Sequence, residues 1–566
     1  MMCQRSGREF VLWMSLAIGF VPFAPSFAQE KREPPRREVR VPLDTVGRES
    51  EKQLPRIDLP EFLITGEETS TLPEFTKSPI EGEKAFDPLS RKPEPGVRES
   101  TRVELGGSTK AHVDFMRGPK GFSGNASAGY GSYRSPFFDG WFGTNSKAFD
   151  FLLKAAYRSS EGYSANTDYR KGQSGLSAGA YLPNGIGVLS GARVHGNFGF
   201  DGETYRLYGS ANPERKRSVN RFTGALSLNS DATGSFGFTV GAHASAVAVS
   251  DSIRTGENEV GVEATLRKSF GSVELKAEGG LWRNFYDAPS ILEDPFFTHA
   301  GLFAQVRIAD KADIIGGGEF FFTRGSDTKS VGKLHPRLVV VVYPARWLTL
   351  SARYEPFIRH SSVSTIVKES PYVVNDIRIR HTEFYNNFTF GVETEFARTF
   401  KSKASVTYSR SRDYPIYVQS SAVGTWSVEY FGTTRILAFQ GEIYADITSS
   451  DYLGAVLTVR ESKNSATNRA LPYFPSITLS GLYQHRFSFG LTLGAKARWL
   501  DNQYVDLANT RKLGSFVLLD ATAEYAIIST LKVIVTMENS LNHRQMLWDN
   551  YITFPRTFSL GLSFSW

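Results

Sequence analysis

The sequence predicts an all-β protein, a transmembrane antiparallel β-barrel of about 22 strands preceded by a disordered N-terminal extension. Three observations predict it. Apolar and polar residues alternate with period two from about Arg102 to Trp566. Phe (42), Tyr (24) and Gly (51) are abundant, as in chains of short strands joined by glycine-containing turns. After the first 28 residues no run reaches the ~18 consecutive apolar residues of a membrane-spanning helix, and in a barrel wall the lipid-facing and lumen-facing residues cancel in any hydropathy window.

Residues 1–28 read as a signal peptide. Arg5 and Arg8 supply a positive start, Phe10 to Phe23 is mostly apolar, and Ser26-Phe27-Ala28 offers small residues for cleavage before Gln29. The only cysteine, Cys3, lies before the apolar stretch and leaves with it. A mature chain without cysteine has no disulfide scaffold, thiol nucleophile or cysteine metal site.

Residues 29–100 hold ten of the 26 prolines and are dense in charge. Such a composition cannot bury a core, so this stretch reads as a disordered periplasmic extension. One island, Asp58 to Gly66, contains a short apolar run with strand propensity.

Residues 101–566 read as the barrel. Val273, Leu275, Ala277, Gly279 and Leu281 form one face of a strand, and Glu274, Lys276 and Glu278 the other. The same alternation marks Leu348–Tyr354, Phe487–Trp499, Leu531–Met537 and Phe558–Trp566. Many runs reach the ~9–11 residues that cross a bilayer when tilted, and their polar faces carry charge, as a wet lumen allows. Trp282, Phe285, Tyr354, Phe357 and Trp499 lie near run ends and are expected in interfacial girdles. Longer loops are expected near Ser361–Ile379 and Glu461–Leu471.

The C-terminal half resembles the barrel of TonB-dependent outer-membrane receptors. Pro336-Arg337-Leu338 through Tyr354-Glu355-Pro356-Phe357-Ile358-Arg359 looks like a mid-barrel hairpin of that family. Leu471-Pro472-Tyr473-Phe474-Pro475 before Leu479–Tyr483 is similar to a late strand start. Val517–Tyr525 resembles the third-last strand, Glu538-Asn539-Ser540-Leu541-Asn542 the end of the next, and Phe554-Pro555-Arg556-Thr557-Phe558 the approach to the last, without the family's glycine. Ser160-Glu161-Gly162-Tyr163, with Asn166 and Asp168, looks like an early extracellular loop. The resemblance covers the barrel only, because the ~70 residues before it are too few and too polar for the family's plug.

The resemblance implies a bacterial outer-membrane location, outer-membrane lipid as surroundings, and a solute moved through the lumen. Leu562, Phe564 and Trp566 resemble the terminal signal read by the barrel-assembly machinery, which pairs with an extended strand by β-augmentation. Glu61, Phe62, Leu63, Ile64, Thr65 and Gly66 look like a TonB box, which adds a strand to a TonB-like periplasmic partner. A passive porin-like channel and a structural or adhesive surface barrel are the alternatives.

No catalytic, cofactor or metal residue stands out. Gly175-Leu176-Ser177-Ala178-Gly179 fits the nucleophile-elbow pattern, but an alternating strand lacks the strand-to-helix turn that chemistry needs. The nine histidines have none of the short spacings of a metal site, although a site assembled across strands has no linear signature. Scattered Lys and Arg give no nucleic-acid footprint. Glu274, Lys276 and Glu278 are candidates for a selectivity ring.

Overall fold

A computed structural model describes residues 122–146, 149–183, 187–230, 236–287, 293–309, 311–396 and 399–566. The first 121 residues lie outside it, and with them the signal peptide, the extension, the 61–66 island and the start of the expected barrel region.

Twenty-two antiparallel strands, each paired with its sequence neighbours, form one closed sheet. The first described strand, Phe122–Gly131, pairs with the last, Thr557–Ser565, from Asn125↔Ser565 to Gly131↔Ser559. Closure leaves no edge, which is what a lipid environment demands of backbone N–H and C=O groups.

Alternation sorts side chains as expected. In the strand Val273–Asp287, Leu275 and Leu281 are exposed toward lipid while Lys276 is buried on the lumen side. Strands range from 17 residues (Arg254–Phe270) to 7 (Leu348–Tyr354). A tilted strand needs only ~9–11 residues to cross the hydrocarbon. The longer ones therefore raise the wall beyond the membrane.

At the end bearing the last residue the turns are short. Phe270 and Val273 are joined through Gly271 and Ser272, and Gly271 has φ +64°, a conformation that disfavours a side chain. The opposite end carries the long connections, the extracellular pattern for such barrels. The segment 360–381 is one of them, as expected. The loop expected from Glu461 begins later, because Asp451–Asn464 is strand and the connection runs over 465–476. Long connections at 413–433, 501–515 and 539–556 escaped the sequence reading because each contains its own short strand pair, so alternation runs on through the loop.

The motifs behind the family resemblance fall where it puts them. Val331–Ala345 and Leu348–Tyr354 form a hairpin, Phe516–Ile528 is the third-last barrel strand, and Pro555-Arg556 leads into the last. One detail differs. Phe357–Arg359 rejoins the sheet by pairing with Thr382–Phe384, so the wall continues past the interruption at Glu355-Pro356.

Candidate functional site: a strapped and domed lumen

Loops at the long-loop end do not stand apart. They fold into a dome whose aromatic residues, Tyr417, Trp426, Tyr473, Trp548 and Tyr551, pack around Tyr372 of the 360–381 loop in a core continuous with wall residues such as Tyr205 and Val249. The Tyr372 and Tyr551 rings stack at 3.5 Å, and the Tyr473 and Trp548 rings at 4.5 Å. The Trp426 indole N–H donates to the Tyr473 hydroxyl at 3.0 Å, so this buried polar group is satisfied. Gly424 sits at φ +73° against the backbone of Gly209, whose carbonyl oxygen lies 2.1 Å from where a Cβ would be. Two loops distant in sequence meet there because Gly424 has no side chain, and the missing side chain of Gly209 makes room for Asn550 and Tyr551.

Beneath the dome, residues 360–381 form a strap across the lumen. Its start is a helix of about two turns, Val363–Glu369, capped by the Ser362 hydroxyl accepting from the Thr365 N–H at 3.2 Å. The Val363 N–H donates to the Glu257 carboxylate on the wall at 2.8 Å. Pro371 follows the helix, and the chain then runs extended.

The extended part makes no ladder with the barrel wall. Instead its odd-numbered carbonyls are taken, one after another, by donors of the wall and its rim, all side chains except at Ile379. The Pro371 carbonyl accepts from the Tyr205 hydroxyl at 2.8 Å and from Arg217 at 2.5 Å. The Val373 carbonyl accepts from Arg217 at 2.6 Å and the Asn375 carbonyl from Thr255 at 2.6 Å. The Ile377 carbonyl accepts from the Tyr286 hydroxyl at 2.8 Å, and the Ile379 carbonyl from the Ser326 N–H at 2.8 Å. From above, the Val374 N–H donates to the Trp426 carbonyl at 2.7 Å and the Trp426 N–H to the Tyr372 carbonyl at 3.1 Å. The strap is thus pinned between wall and dome. Arg217, only 1% exposed, also pairs with Asp251 at 2.5 Å. Arg380 secures the far end on Asp327 and Asp413.

Five of the nine histidines gather under the strap. His360 and His381 stack at 5.2 Å at its two ends. His243 and His360 each reach Glu259 at 3.3 Å. His299 reaches Glu319 at 2.7 Å, and His335 lies 3.7 Å from Glu383. Trp282, Phe297 and Phe321 fill the spaces between the rings. Trp282 is therefore a lumen residue and not part of a girdle, because Gly261 and Gly280 leave its ring a place inside. Phe357 likewise packs inward on Phe384 with rings 4.7 Å apart. Phe285 is exposed as expected. Among the described residues no three of these groups converge as metal ligands.

Deeper in the lumen, Glu274, Lys276 and Glu278 do not form a ring of one sign. Lys276 pairs with Glu278, and Arg337 reaches Glu278, Glu319 and Glu355 at 3.2–3.5 Å. Arg353 adds Glu355 at 3.6 Å. This is a cross-strand ladder of near-balanced charge. Ser177 faces the lumen from a regular strand, 3.0 Å from His195 on the next strand, with no helix after it. Leu562, Phe564 and Trp566 face outward, about half exposed. Trp566 stacks near Phe564 and Phe142.

A closed 22-strand barrel with a lipid-facing apolar belt, a polar lumen and a plugged outer mouth defines the class: an outer-membrane barrel of receptor size. The particular likeness is to the barrels of TonB-dependent receptors, whose fold this chain shares. The FrpB iron transporter from Neisseria meningitidis (F3-3 variant) superposes with TM-score 0.62 at 13% identity, over 79% of this chain and 82% of that one. The copper transporter OprC gives 0.59 at 13%, over 79% and 80%. The ferric-catecholate import receptor Fiu from K12 E. coli gives 0.59 at 11%, over 79% and 82%. No protein-family model matches the sequence, and no curated protein does.

Proposed function

We propose that this chain moves a solute across the bacterial outer membrane through its lumen, and that the strap and dome are the outer gate. The observation that carries the reading is the strap, residues 360–381, whose carbonyls are held by Tyr205, Arg217, Thr255, Tyr286 and Ser326 on one side of the lumen. Those bonds join two bodies, wall and loop, without merging them into one sheet. Such a closure can release and re-form while the barrel stays whole. A permanently open pore has no use for a dome core of buried Trp and Tyr, so passive diffusion is the weaker alternative.

The iron and copper species named for the neighbouring folds are the first solutes to try. Energy would come from a TonB-like periplasmic partner acting on Glu61–Gly66, by strand addition. Deleting Asp58–Gly66 tests the coupling: uptake is lost while the barrel still assembles, and unchanged uptake removes the partner from the account.

Planar-bilayer conductance tests the gate. The mature chain is expected to be silent, and a variant lacking residues 361–379 to show large steady steps. Silence from both folded proteins favours a structural or adhesive surface barrel.

A further inference from the structure

The outer wall carries a charge arrangement that the lumen does not use. Across the strands Thr382–Phe396, Phe400–Arg412, Thr434–Asp446 and Asp451–Asn464, lipid-facing residues pair row by row. One row reads Phe390, Val406, Phe439 and Val459, and the next, toward the loop end, reads Phe388, Tyr408, Leu437 and Glu461. The following row reads Asn386, Arg410, Arg435 and Lys463. Arg410 is directly opposite Arg435, and Arg435 directly opposite Lys463.

Neighbouring strands are ~4.8 Å apart, and like charges placed opposite one another destabilise a sheet. The local compensation is thin. Arg410 Nε donates to the Tyr408 hydroxyl at 2.9 Å, and Arg435 donates to the Asn468 side-chain oxygen at 3.4 Å. Both acceptors are neutral, and neither arginine forms an ion pair with a described residue. Lys463 pairs with Glu461, its neighbour on the same strand face. Arg412, 47% exposed, lies beside the row, 3.2 Å from Glu383 and 4.7 Å over the Tyr385 ring. Four cations thus meet two carboxylates, and Glu383 also serves His335. A second facing pair on the wall, Arg206 and Lys216, is treated differently: Arg206 has Asp168 at 2.5 Å.

We propose that Arg410, Arg435 and Lys463, with Arg412 beside them, bind the phosphate groups of a phosphorylated lipid of the outer leaflet, whose acyl chains lie on the Phe390–Val406–Phe439–Val459 belt. The inference rests on the outer-membrane placement proposed above. An anion held between the facing cations removes their mutual repulsion. Guanidinium groups present paired N–H donors that match phosphate oxygens. The height fits as well. Four residues along a strand tilted ~45° rise about 9 Å along the membrane normal, so the cations stand two rows above the Phe390–Val406–Phe439–Val459 belt, at headgroup level. The belt is what distinguishes a lipid from a free phosphate, which has nothing to lay against it.

The test uses the mature protein in detergent micelles doped with a diphosphorylated glucosamine lipid, or with the same lipid stripped of phosphate, and counts bound lipid by native mass spectrometry. The wild-type barrel is expected to retain the phosphorylated lipid at least tenfold better than the triple variant Arg410→Gln, Arg435→Gln, Lys463→Gln. It should retain the stripped lipid no better than that variant does, and millimolar inorganic phosphate should not displace the lipid. Equal retention by both proteins, or equal retention of the two lipids, overturns the proposal. Displacement by inorganic phosphate also overturns it, in favour of a free-anion site. Heat-modifiable gel migration confirms that each barrel is folded. Should the triple variant fail to fold, Arg435→Gln alone keeps the test alive, with a threefold loss expected and no loss counting against the site. Cell fractionation separates the two levels of the argument, because a chain found outside the outer membrane overturns the placement whatever the micelles show.

Discussion

His381 illustrates how much one side chain at the strap's end controls. Its Nδ1 accepts from the Ser361 N–H at 3.2 Å, and its Nε2–H donates to the Phe296 carbonyl at 3.1 Å. The first bond needs the neutral ring, because a protonated Nδ1 cannot accept. Burial, then the neighbouring His360, pushes its pKa down to about 3. A released strap would return it to an ordinary value of ~6.5. The folded value is the lower one, so release takes up a proton between those limits. Docking is complete above pH ~6.5 and weakens as pH falls toward 3. Channel openings in a bilayer should therefore become more frequent as pH is lowered from ~7.5 to ~5, and His381→Gln should flatten that profile. A flat wild-type profile would remove the proton from the gate. Arg217 is the second such residue. Arg217→Met leaves Asp251 buried with one hydrogen bond partner fewer, the Val373 carbonyl unmet and the Pro371 carbonyl held by Tyr205 alone, at a cost of about 3–5 kcal/mol to docking. Proteolysis within 360–381 should quicken accordingly. Little of this was legible in the sequence. His243, His299, His335, His360 and His381 look dispersed because their proximity is set by strand register, which no linear spacing records. Trp282 misled for a related reason: periodicity gives two faces but not which one a run-end aromatic takes.

At the level of elements, the strap and the dome are held differently from the wall. The wall is sheet, and strands such as Leu348–Tyr354 and the last two were readable from alternation, while the hairpin Val331–Tyr354 and the third-last strand were placed by the family resemblance. Ser361–Ile379 was recognised as long, but its inward course was not. An extended segment whose carbonyls bond to side chains has no period of its own. Its clamps, Tyr205 and Thr255 among them, sit on ordinary strands. The two bodies should separate experimentally. Trp426→Ala removes a fully buried side chain from the dome core and is expected to cost about 3–5 kcal/mol there. Dome unfolding followed by near-ultraviolet circular dichroism should shift to lower denaturant, while the heat-modifiable gel shift that reports the closed wall stays where it was. Joint loss of both signals would mean that dome and wall are one cooperative unit.

For the whole molecule, the strand number and the closed all-β architecture followed from local pattern because each strand repeats the same inward–outward rule. What the N-terminal 121 residues add to the lumen lies outside the described structure. The terminal Leu562, Phe564 and Trp566 contribute little burial to the finished barrel, being about half exposed. Replacing Phe564 and Trp566 with Ser is therefore expected to reduce the fraction of chain assembled in cells several-fold while leaving the unfolding of assembled barrels nearly unchanged. An equal loss of both would make these side chains structural instead of a signal for the assembly machinery. The seam they flank has a further consequence, one of timing. Asn125 bonds to Ser565 across 440 positions, and Gly124 and Trp566 exchange backbone hydrogen bonds beside it. At ~5–20 residues per second of synthesis, the first strand waits roughly 20–90 s before its partner exists. Through that interval both its backbone edge and its lipid-facing side are uncommitted. Ring closure cannot precede the last strand, so a chain stalled or clipped near its C-terminus forfeits the seam itself and leaves the first strand's outer edge unpaired.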